Sequence, residues 1–267
     1  MTARIARLES RALIRVSGPD ARSFLHNLLT QDVETMGDGE LRFGALLSPP
    51  GRLLFDLFIQ CINCIDGIVL LDVAADRHDA LIQRLSMYKL RAQVAVEADD
   101  QPVFVCWDGE VEGFAPDPRT PALGGRRYGG DVETNATEDD WQAHRLAVGA
   151  PDPTGDAPDD KTYPIEANFD LLNGIDFRKG CFIGQETTSR MKRRGSIRNR
   201  MLPITFDGPA PAVGAEILNG ELRAGEVLTG RDGNAMALVR LDRLEGDLTV
   251  DGRPVQVRRP EWLLIEA

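Results

Sequence analysis

The C-terminal quarter of the chain constrains the fold most. From Leu202 to the end, short segments with alternating polar and apolar residues are separated by Gly, Pro or Asp. Alternation with a period of two is typical of strands that bury one face. The clearest segments are residues 216–218, 222–228, 235–241 and 254–258. Because a closed sheet is the simplest structure for such a series, we expect a small β-barrel over residues 201–267.

The first hundred residues combine the periods of strands and helices. Residues 11–16 alternate like a strand, and residues 21–29 place their apolar side chains on one helical stripe. Further strand patterns follow, then a second amphipathic stretch at 76–89 and a last strand at 92–96. This order predicts an α+β unit in which helices pack on a mainly antiparallel sheet.

A second subdomain is expected to begin near residues 98–101, so that the region 1–200 contains two subdomains. Residues 116–130 are rich in Pro and Gly, which predicts a loop, and residues 138–147 have the pattern of a short helix. The acidic, Pro-containing stretch 152–160 predicts an exposed connection.

Charge and cysteine content exclude several classes of protein. The chain of 267 residues carries 31 Lys and Arg against 42 Asp and Glu, a formal net charge of −11. This balance argues against a nucleic-acid-binding surface spread over the whole chain. No apolar run reaches about 18 residues, the length of a membrane span, and no secretory signal pattern is visible. Four irregularly spaced cysteines indicate reduced thiols, so we expect a cytoplasmic protein.

Two of the cysteines, Cys61 and Cys64, have the CxxC spacing that occurs in metal sites. They end a predicted strand, where residues three apart point to opposite faces, and no second Cys or His pair accompanies them. We therefore expect no metal site formed by this chain alone. Cys106, in an apolar strand pattern, is expected in the core.

A basic segment stands out against the acidic background. Between residues 178 and 200 the chain has eight Lys and Arg and one Glu, a local balance of +7. Such a concentration of charge suits an anionic partner. Two other interpretations stay open: a solvated helix face offset by acidic neighbours such as residues 156–160, and an RNA-binding surface. The second lacks the aromatic side chains on which bases stack, since Met191 and Ile197 are the apolar residues of 190–200.

Within this segment, Cys181 is the candidate functional thiol. It lies in the sequence KGCFIGQE between Gly180 and Gly184, which allow close approach of a ligand or backbone conformations that other residues resist. Gln185 starts what looks like the first turn of a helix, whose unpaired amides and positive dipole end would lie near the thiol. With Lys179 beside it, this environment favours the thiolate. A buried cysteine between two turn glycines is the alternative.

This motif, together with YPIEA at 163–167, NGIDF at 173–177 and Ser189-Arg190-Met191, resembles the signature of the folate-binding YgfZ-type family. That family is related to the T-protein, the aminomethyltransferase of the glycine cleavage system. RLAVGAP at 145–151 and the stretch 16–32 are similar to further segments of the superfamily. The resemblance covers nearly the whole chain and is sharpest at 163–200.

The resemblance implies an α+β fold in which three subdomains surround a central cavity that binds tetrahydrofolate, with a small C-terminal β-barrel. It also implies an accessory role in the assembly or repair of iron–sulfur cluster enzymes, including enzymes that modify tRNA, with Cys181 as the functional thiol. The expected partners are folate and iron–sulfur client proteins. Neither membrane association nor direct nucleic-acid binding is expected, and nothing in the sequence demands more than a monomer.

Folate binding sets physical requirements that residues of the matching region can meet. The donor edge of the pterin is best held by a carboxylate, which Glu166, Asp170 or Glu186 offers. The ring needs an apolar slot, to which Phe55 and Phe182 are suited, and the anionic tail needs cations such as those of residues 190–194. The expected folate-binding residues are Glu166, Gly180, Phe182, Gly184, Gln185, Glu186 and Arg190.

Departures from the T-protein pattern bear on catalysis. Where the T-protein has Arg-Leu-Glu-Ala-Gly, this chain has RLAVG, so Ala147 replaces the Glu that would contact the pterin. Asp56 remains of a pair of carboxylates and could act as a general base or stabilise an iminium. Glycine cleavage is therefore not expected. The candidate catalytic residues are Cys181, Lys179 and Asp56, and a folate-dependent aminomethyltransferase or demethylase acting on a small amine is the alternative function.

Overall fold

The structure, a computed structural model, describes residues 2–156, 161–195 and 197–263. Those residues form fifteen strands and five α-helices. The strands are β1 (Arg4–Arg7), β2 (Arg11–Ser17), β3 (Leu41–Leu47), β4 (Leu53–Asn63), β5 (Ile68–Ala74), β6 (Ala95–Asp99), β7 (Val103–Trp107), β8 (Ala115–Pro116), β9 (Gly125–Tyr128), β10 (Asn199–Phe206), β11 (Glu216–Asn219), β12 (Leu222–Arg231), β13 (Asn234–Arg240), β14 (Leu248–Val250) and β15 (Arg253–Val257). The helices are α1 (Ala21–Leu28), α2 (His78–Lys89), α3 (Glu138–Val148), α4 (Pro153–Asp156) and α5 (Gln185–Arg194).

The first subdomain is a five-stranded antiparallel sheet with the order β3-β4-β5-β2-β6, and α1 and α2 pack on one of its faces. Alternation along β4 decides which side chains face the helices. Phe55, Leu57 and Ile59 pack with the helices in one core, whereas Phe58 belongs to a different core on the opposite face. Asp56 therefore lies on the face that meets the rest of the molecule.

The second subdomain is a four-stranded sheet with the order β1-β7-β9-β8, against which α3 packs. The chain changes sheet between the end of β6 at Asp99 and the start of β7 at Val103. The prediction of a loop over 116–130 is wrong for β9, where Tyr128 pairs with Val103. The sequence gives no strand signal there because β9 is stabilised by pairing with the apolar β7 and not by an apolar face of its own.

The third subdomain is a closed six-stranded barrel with the order β10-β13-β12-β11-β14-β15. Strand β10 closes it by pairing with β13 on one side and β15 on the other. The barrel core contains the inward residues of the predicted segments, among them Ile217, Val227 and Val239. The expected α+β architecture with a C-terminal barrel is therefore confirmed.

A largely irregular segment, residues 161–184, joins the three subdomains. Its apolar residues Ile165 and Phe169 are buried in a core that also includes Phe43 of β3 and Met201 of β10. The ring centroids of Phe43 and Phe169 are 4.6 Å apart. Within the described part of the chain, no helix is long and apolar enough to cross a membrane.

Candidate functional site

A cavity of about 660 Å³ lies where the three subdomains meet, and we call it the central cavity. This volume is in the range of small-molecule sites. Its walls come from the start of β2, the end of β5, α3, α4 and β12. The lining residues are Ser10, Arg11, Ala74, Ala75, Asp76, Gln142, Arg145, Leu146, Asp152, Thr154, Gly155, Thr229, Gly230 and Arg231.

The central cavity narrows inward to a space of about 10 Å³, the inner neck, which is large enough for about one water molecule. The two spaces share Arg11, Arg145 and Asp152 among their walls. Asp56 and Arg126 are added at the inner neck. The centre of the molecule is therefore open toward solvent but filled by charged side chains at depth.

Four arginines and four aspartates form a buried ion-paired cluster around the inner neck. Its members are Arg11, Arg119, Arg126, Arg145, Asp56, Asp72, Asp117 and Asp156. Asp72 accepts from two arginines, Arg11 Nε at 2.6 Å and Arg126 Nη1 at 2.7 Å. The hydroxyl of Tyr128 donates to Asp72 at 3.1 Å, and burial together with that carboxylate raises the pKa of Tyr128.

In two other ion pairs of the cluster, the arginine offsets the effect of burial on the pKa of the aspartate to different extents. Arg119 donates to Asp117 through Nε at 3.0 Å and Nη2 at 2.8 Å. Burial raises the pKa of Asp117, but the arginines more than offset it, so the pKa lies below the ordinary value. Arg145 donates to Asp156 at 2.8 and 3.2 Å, yet burial keeps the pKa of Asp156 above its ordinary value.

Arg126 has a polar atom without a partner. Its Nε is buried and makes no hydrogen bond with any residue in the described ranges, and its guanidinium carbon lies 3.7 Å from the ring centroid of Phe58. An unpaired buried donor costs about 1–3 kcal/mol. An acceptor that reached the inner neck would remove that cost.

Asp152 is a carboxylate in the wall of the central cavity, close to its buried arginines, that is available to a ligand. Its side chain makes no hydrogen bond to the residues that the structure describes, although its backbone N–H donates to Asp156 at 2.6 Å. Burial raises the pKa of Asp152, but Arg145 and Arg11 outweigh it and hold the pKa below the ordinary value. An ionised acceptor therefore faces the cavity.

The sequence interpretation missed this residue. The prediction of an exposed connection over 152–160 is wrong for Asp152, which lines the cavity, and for Asp156, which is buried and ion-paired. Residues 157–160 lie outside the described ranges. Asp152 could have been identified from its position in the sequence, because it directly follows the RLAVGAP segment that is similar to the superfamily.

Asp56 is the predicted catalytic residue that lies at the inner neck. Arg11 Nη1 donates to its Oδ2 at 3.3 Å, and the hydroxyl of Thr154 donates to its Oδ1. Both carboxylate oxygens of Asp56 are thus held by protein groups. Ala147, at the position of the T-protein Glu, does not line the central cavity.

Cys181 is an exposed free thiol, which excludes the alternative of a buried cysteine. Helix α5 begins at Gln185, as predicted, and Gly184 precedes it with a φ of +80°. A Cβ at Gly184 would lie 2.8 Å from Gly51 Cα, so this glycine is required by close packing on the β3–β4 turn. A Cβ at Gly180 would meet nothing within 4 Å, so the space beside the thiol is open.

Lys179 is buried and points into the first subdomain. Its Nζ donates to the backbone oxygens of Leu29 at 2.6 Å and Gln31 at 2.9 Å, and also to that of His26. The ammonium group thereby satisfies carbonyls at the C-terminal end of α1. Burial lowers the pKa of Lys179 to about 8. This side chain anchors the Cys181 motif to the sheet subdomain.

The residues predicted to hold folate lie away from the central cavity, since none of them is among its walls. Glu166 accepts from the Tyr163 N–H at 2.9 Å and from Asn199 Nδ2 at 3.1 Å. Phe182 is buried in a core, and Gln185 Nε2 donates to the Gly180 oxygen at 3.3 Å. Glu186 and Arg190 are exposed on α5, while Gly180 and Gly184 flank Cys181.

Two further candidates for the folate site, Asp170 and Phe55, are already held by contacts within the protein. Asp170 accepts from Arg200 at 2.9 and 3.0 Å, and Lys192 lies 3.7 Å from it. Phe55 is packed in the core beneath α1 and α2.

The basic segment is divided between interior and surface. Lys179 and Arg200 are buried, whereas its other six cations are exposed. Arg190, Arg194 and Arg198 form no ion pair with a residue of the described ranges. Exposed cations in the same segment as Cys181 therefore remain for an anionic partner.

The expectation that Cys61 and Cys64 point to opposite faces as reduced thiols is wrong. The two sulfurs are joined in a disulfide bond. The reason lies in β4, which has a register shift between Cys61 and Asn63 in its pairing with β5. A bulge adds a residue to one strand, so the simple alternation of sides is lost at that point.

Comparisons with known proteins agree with this architecture. Residues 198–264 match the model of the CAF17 C-terminal beta-barrel domain. Among solved structures, the chain is similar to the glycine cleavage system aminomethyltransferase T from Bartonella henselae, with a TM-score of 0.79 and 18% identity over 97% of this chain and 86% of that one. This likeness confirms a T-protein-like fold.

Sequence relatives define the family. The chain is 31% identical to the mitochondrial iron-sulfur cluster assembly factor IBA57 of Mus musculus, over 96% of this chain and 84% of the relative. Identity to the human protein of that name is 30% with the same coverage. The Neurospora crassa homolog is 30% identical over 81% of this chain and 57% of its own length. The chain therefore belongs to the family of the iron-sulfur cluster assembly factor IBA57.

Proposed function

We propose that this protein assists the assembly or repair of iron–sulfur cluster enzymes and binds tetrahydrofolate in the central cavity. The first part is supported by membership of the IBA57 family, whose named members are iron–sulfur cluster assembly factors. The second part is supported by the cavity and by the available carboxylate of Asp152. Asp152 is the observation on which the folate proposal chiefly rests.

The central cavity fits the chemistry of a reduced folate. A carboxylate best holds the adjacent donors of a pterin, and Asp152 supplies one that has no competing hydrogen bond from a described residue. Leu146, Ala74 and Ala75 supply apolar wall. Arg231, which also pairs with Asp139 at 2.7 Å, supplies positive charge for an anionic tail. Bound tetrahydrofolate would supply a carrier for one-carbon groups.

The cavity and Cys181 have separate tasks in this proposal. The thiol is not among the walls of the central cavity and is exposed to solvent in a segment that carries exposed cations. Cys181 is proposed as the thiol that meets iron–sulfur client proteins, of which tRNA-modifying enzymes are one class. Lys179 serves it indirectly by anchoring the motif to α1.

One observation favours the alternative of a folate-dependent aminomethyltransferase or demethylase. Asp56 lies at the inner neck, within the same enclosure as Asp152. Its carboxylate is already held by Arg11 and Thr154, which favours a structural role over proton transfer. Transfer of the one-carbon group of an aminomethyl donor to tetrahydrofolate with release of ammonia, lost in Asp56→Asn, would establish this alternative.

Titration calorimetry with tetrahydrofolate tests the folate proposal. We expect the wild-type chain to bind and Asp152→Asn to bind at least about tenfold more weakly, since a charge-assisted hydrogen bond contributes about 1.5–3 kcal/mol. Asp76→Asn is the matched control, because it removes another carboxylate from the wall of the same cavity. Equal affinity of wild type and Asp152→Asn would remove Asp152 from the site, and no binding by wild type would end the folate proposal.

Cluster reconstitution tests the thiol. We expect Cys181→Ser to slow cluster formation on an apo-client protein while its tetrahydrofolate affinity stays within about twofold of wild type. Cys106→Ser is the matched control, since Cys106 is a buried thiol remote in sequence from the motif. An unchanged rate in Cys181→Ser would refute the role of the thiol.

Cytoplasmic location and a monomeric state stay predictions, and the mitochondrial designation belongs to the named relatives.

A further inference from the structure

Cys61 and Cys64 form a disulfide at the end of β4, outside the central cavity and the Cys181 motif. The two sulfurs differ in access. Cys61 is fully buried in the core of the first subdomain, while Cys64 is partly exposed at the following turn. Attack by an external thiolate requires an accessible sulfur and a leaving sulfur. This pair offers one of each.

Side chains from two other parts of the chain hold the peptide of Cys64. The Cys64 N–H donates to Asp38 Oδ1 at 2.6 Å, and Arg22 Nη1 donates to the Cys64 oxygen at 3.3 Å. Arg22 also donates to the Met36 oxygen at 2.9 Å, and Cys64 Sγ lies 3.2 Å from that same oxygen. The turn is thus fixed by hydrogen bonds that do not depend on the disulfide.

The surface next to Cys64 is apolar. Ile65 is 92% exposed and Ile62 is 43% exposed, and these two are among six exposed large hydrophobic residues in the described ranges. They lie one and two residues from Cys64 in sequence. Such a surface suits a protein segment that presents a thiol beside apolar side chains.

We propose that Cys61 and Cys64 form a thiol–disulfide exchange site for a dithiol partner, with Cys64 as the entry sulfur and Cys61 as the leaving sulfur. A partner thiolate attacks Cys64 Sγ, the Cys61–Cys64 bond breaks, and its electron pair leaves on Cys61, which takes up a proton. A second partner thiolate then attacks the mixed disulfide, and Cys64 leaves as a thiolate. The partner's two thiols are oxidised to a disulfide, and Cys61–Cys64 is reduced to two thiols.

This site is independent of folate binding and of Cys181. It is also distinct from a metal site, although ligand atoms of Asp38, Cys61 and Cys64 lie within 4.8 Å of one another. Asp38 Oδ1 already accepts from the Cys64 N–H, and the sulfurs are covalently joined, so the geometry favours exchange. Metal binding by the reduced pair is therefore an outcome that the test must distinguish.

Equilibration of the full chain with mixtures of reduced and oxidised glutathione, followed by alkylation and peptide mass spectrometry, tests the proposal. We expect a reversible Cys61–Cys64 disulfide in the wild-type chain. In Cys61→Ser, we expect glutathione to be trapped on Cys64 at least about tenfold more than on Cys61 in Cys64→Ser, because Cys61 is buried. The Cys106 peptide is the internal control for a buried thiol, and Cys61→Ala is a second variant should serine disturb the core.

Three outcomes would overturn the proposal. Cys61 and Cys64 could both stay alkylatable thiols in excess oxidised glutathione. The two single variants could trap glutathione equally, which would remove the distinction between entry and leaving sulfur. The reduced protein could bind Zn²⁺ stoichiometrically and thereby resist oxidised glutathione, which would assign the trio with Asp38 to metal binding.

Discussion

Cys181 and Asp152, the groups proposed to meet the client protein and the folate, have opposite surroundings. Cys181 lies on the surface, with open space at Gly180, in a segment with exposed arginines. Asp152 lies in an enclosure walled by buried arginines. The surface motif is suited to a macromolecular partner, and the enclosed carboxylate to a small ligand. Recognition of the family by its thiol motif therefore does not locate the central cavity, where we propose that folate binds.

The same contrast applies to stability. The ion-paired cluster beneath the central cavity includes residues of β2, β4, β5 and β9, and the ion pairs of Arg11 and Arg126 tie distant parts of the chain together. The Cys181 side chain, by contrast, makes no hydrogen bond or ion pair with a residue of the described ranges. Substitutions in the ion-paired cluster should therefore lower the free energy of unfolding much more than substitutions at Cys181.

The largest effect is expected at Asp72. Replacing it with Ala leaves Arg11 and Arg126 buried without their shared carboxylate, which should lower the free energy of unfolding by about 3–5 kcal/mol. Cys181→Ser should change it by no more than about 0.5 kcal/mol. Urea unfolding of both variants measures this. Comparable losses would mean that the motif is part of the structural core and would break the comparison.

A smaller contrast is expected within the motif itself. Gly184→Ala places a side chain at a φ of +80° and 2.9 Å from the Ser48 oxygen, so we expect a loss of about 2–4 kcal/mol. Gly180→Ala meets open space and should change the free energy of unfolding by about 0.5 kcal/mol or less. Thermal unfolding of the pair checks this. If Gly180→Ala were the more harmful, the described packing of the motif would be incorrect.

The smallest of the expected changes in the free energy of unfolding concerns Lys179, and this change depends on pH. Its pKa is about 8 in the folded chain against 10.5 when unperturbed, so between these values the unfolded chain binds more protons and the free energy of unfolding rises with pH. The difference in the free energy of unfolding between wild type and Lys179→Met should therefore increase by about 1–2 kcal/mol from pH 7.5 to 10. This is less than the full pKa difference would give, because some solvent reaches the ammonium group. Lys161→Met, at an exposed lysine, is the control and should show no such trend. A difference that shrinks with rising pH would contradict the assigned burial.

Local patterns in the sequence predict the elements that carry their own signal. The barrel segments, the helix over 138–147 and the start of α5 at Gln185 follow from periodicity and turn residues. Local patterns do not predict strand β9, which depends on pairing with a neighbouring strand. They also do not predict the Cys61–Cys64 disulfide, which depends on a bulge in β4.

The central cavity could not be predicted in this way, since its chemistry is assembled from residues far apart in the chain. Arg11 and Asp72 are 61 residues apart, and Arg126 and Asp72 are 54 apart. Asp56 could be identified through the family resemblance, whereas Asp152 has no recognisable motif of its own. Residues such as Glu166 and Phe182 matched the family signature but are held in the packing of the joining segment.

A crystal structure of the chain with tetrahydrofolate would show directly whether folate binds in the central cavity. We expect the pterin there, with its donor edge on the carboxylate of Asp152 and no folate atom in contact with Cys181. Folate bound against α5 beside the thiol, or a central cavity closed to folate, would refute the proposed site.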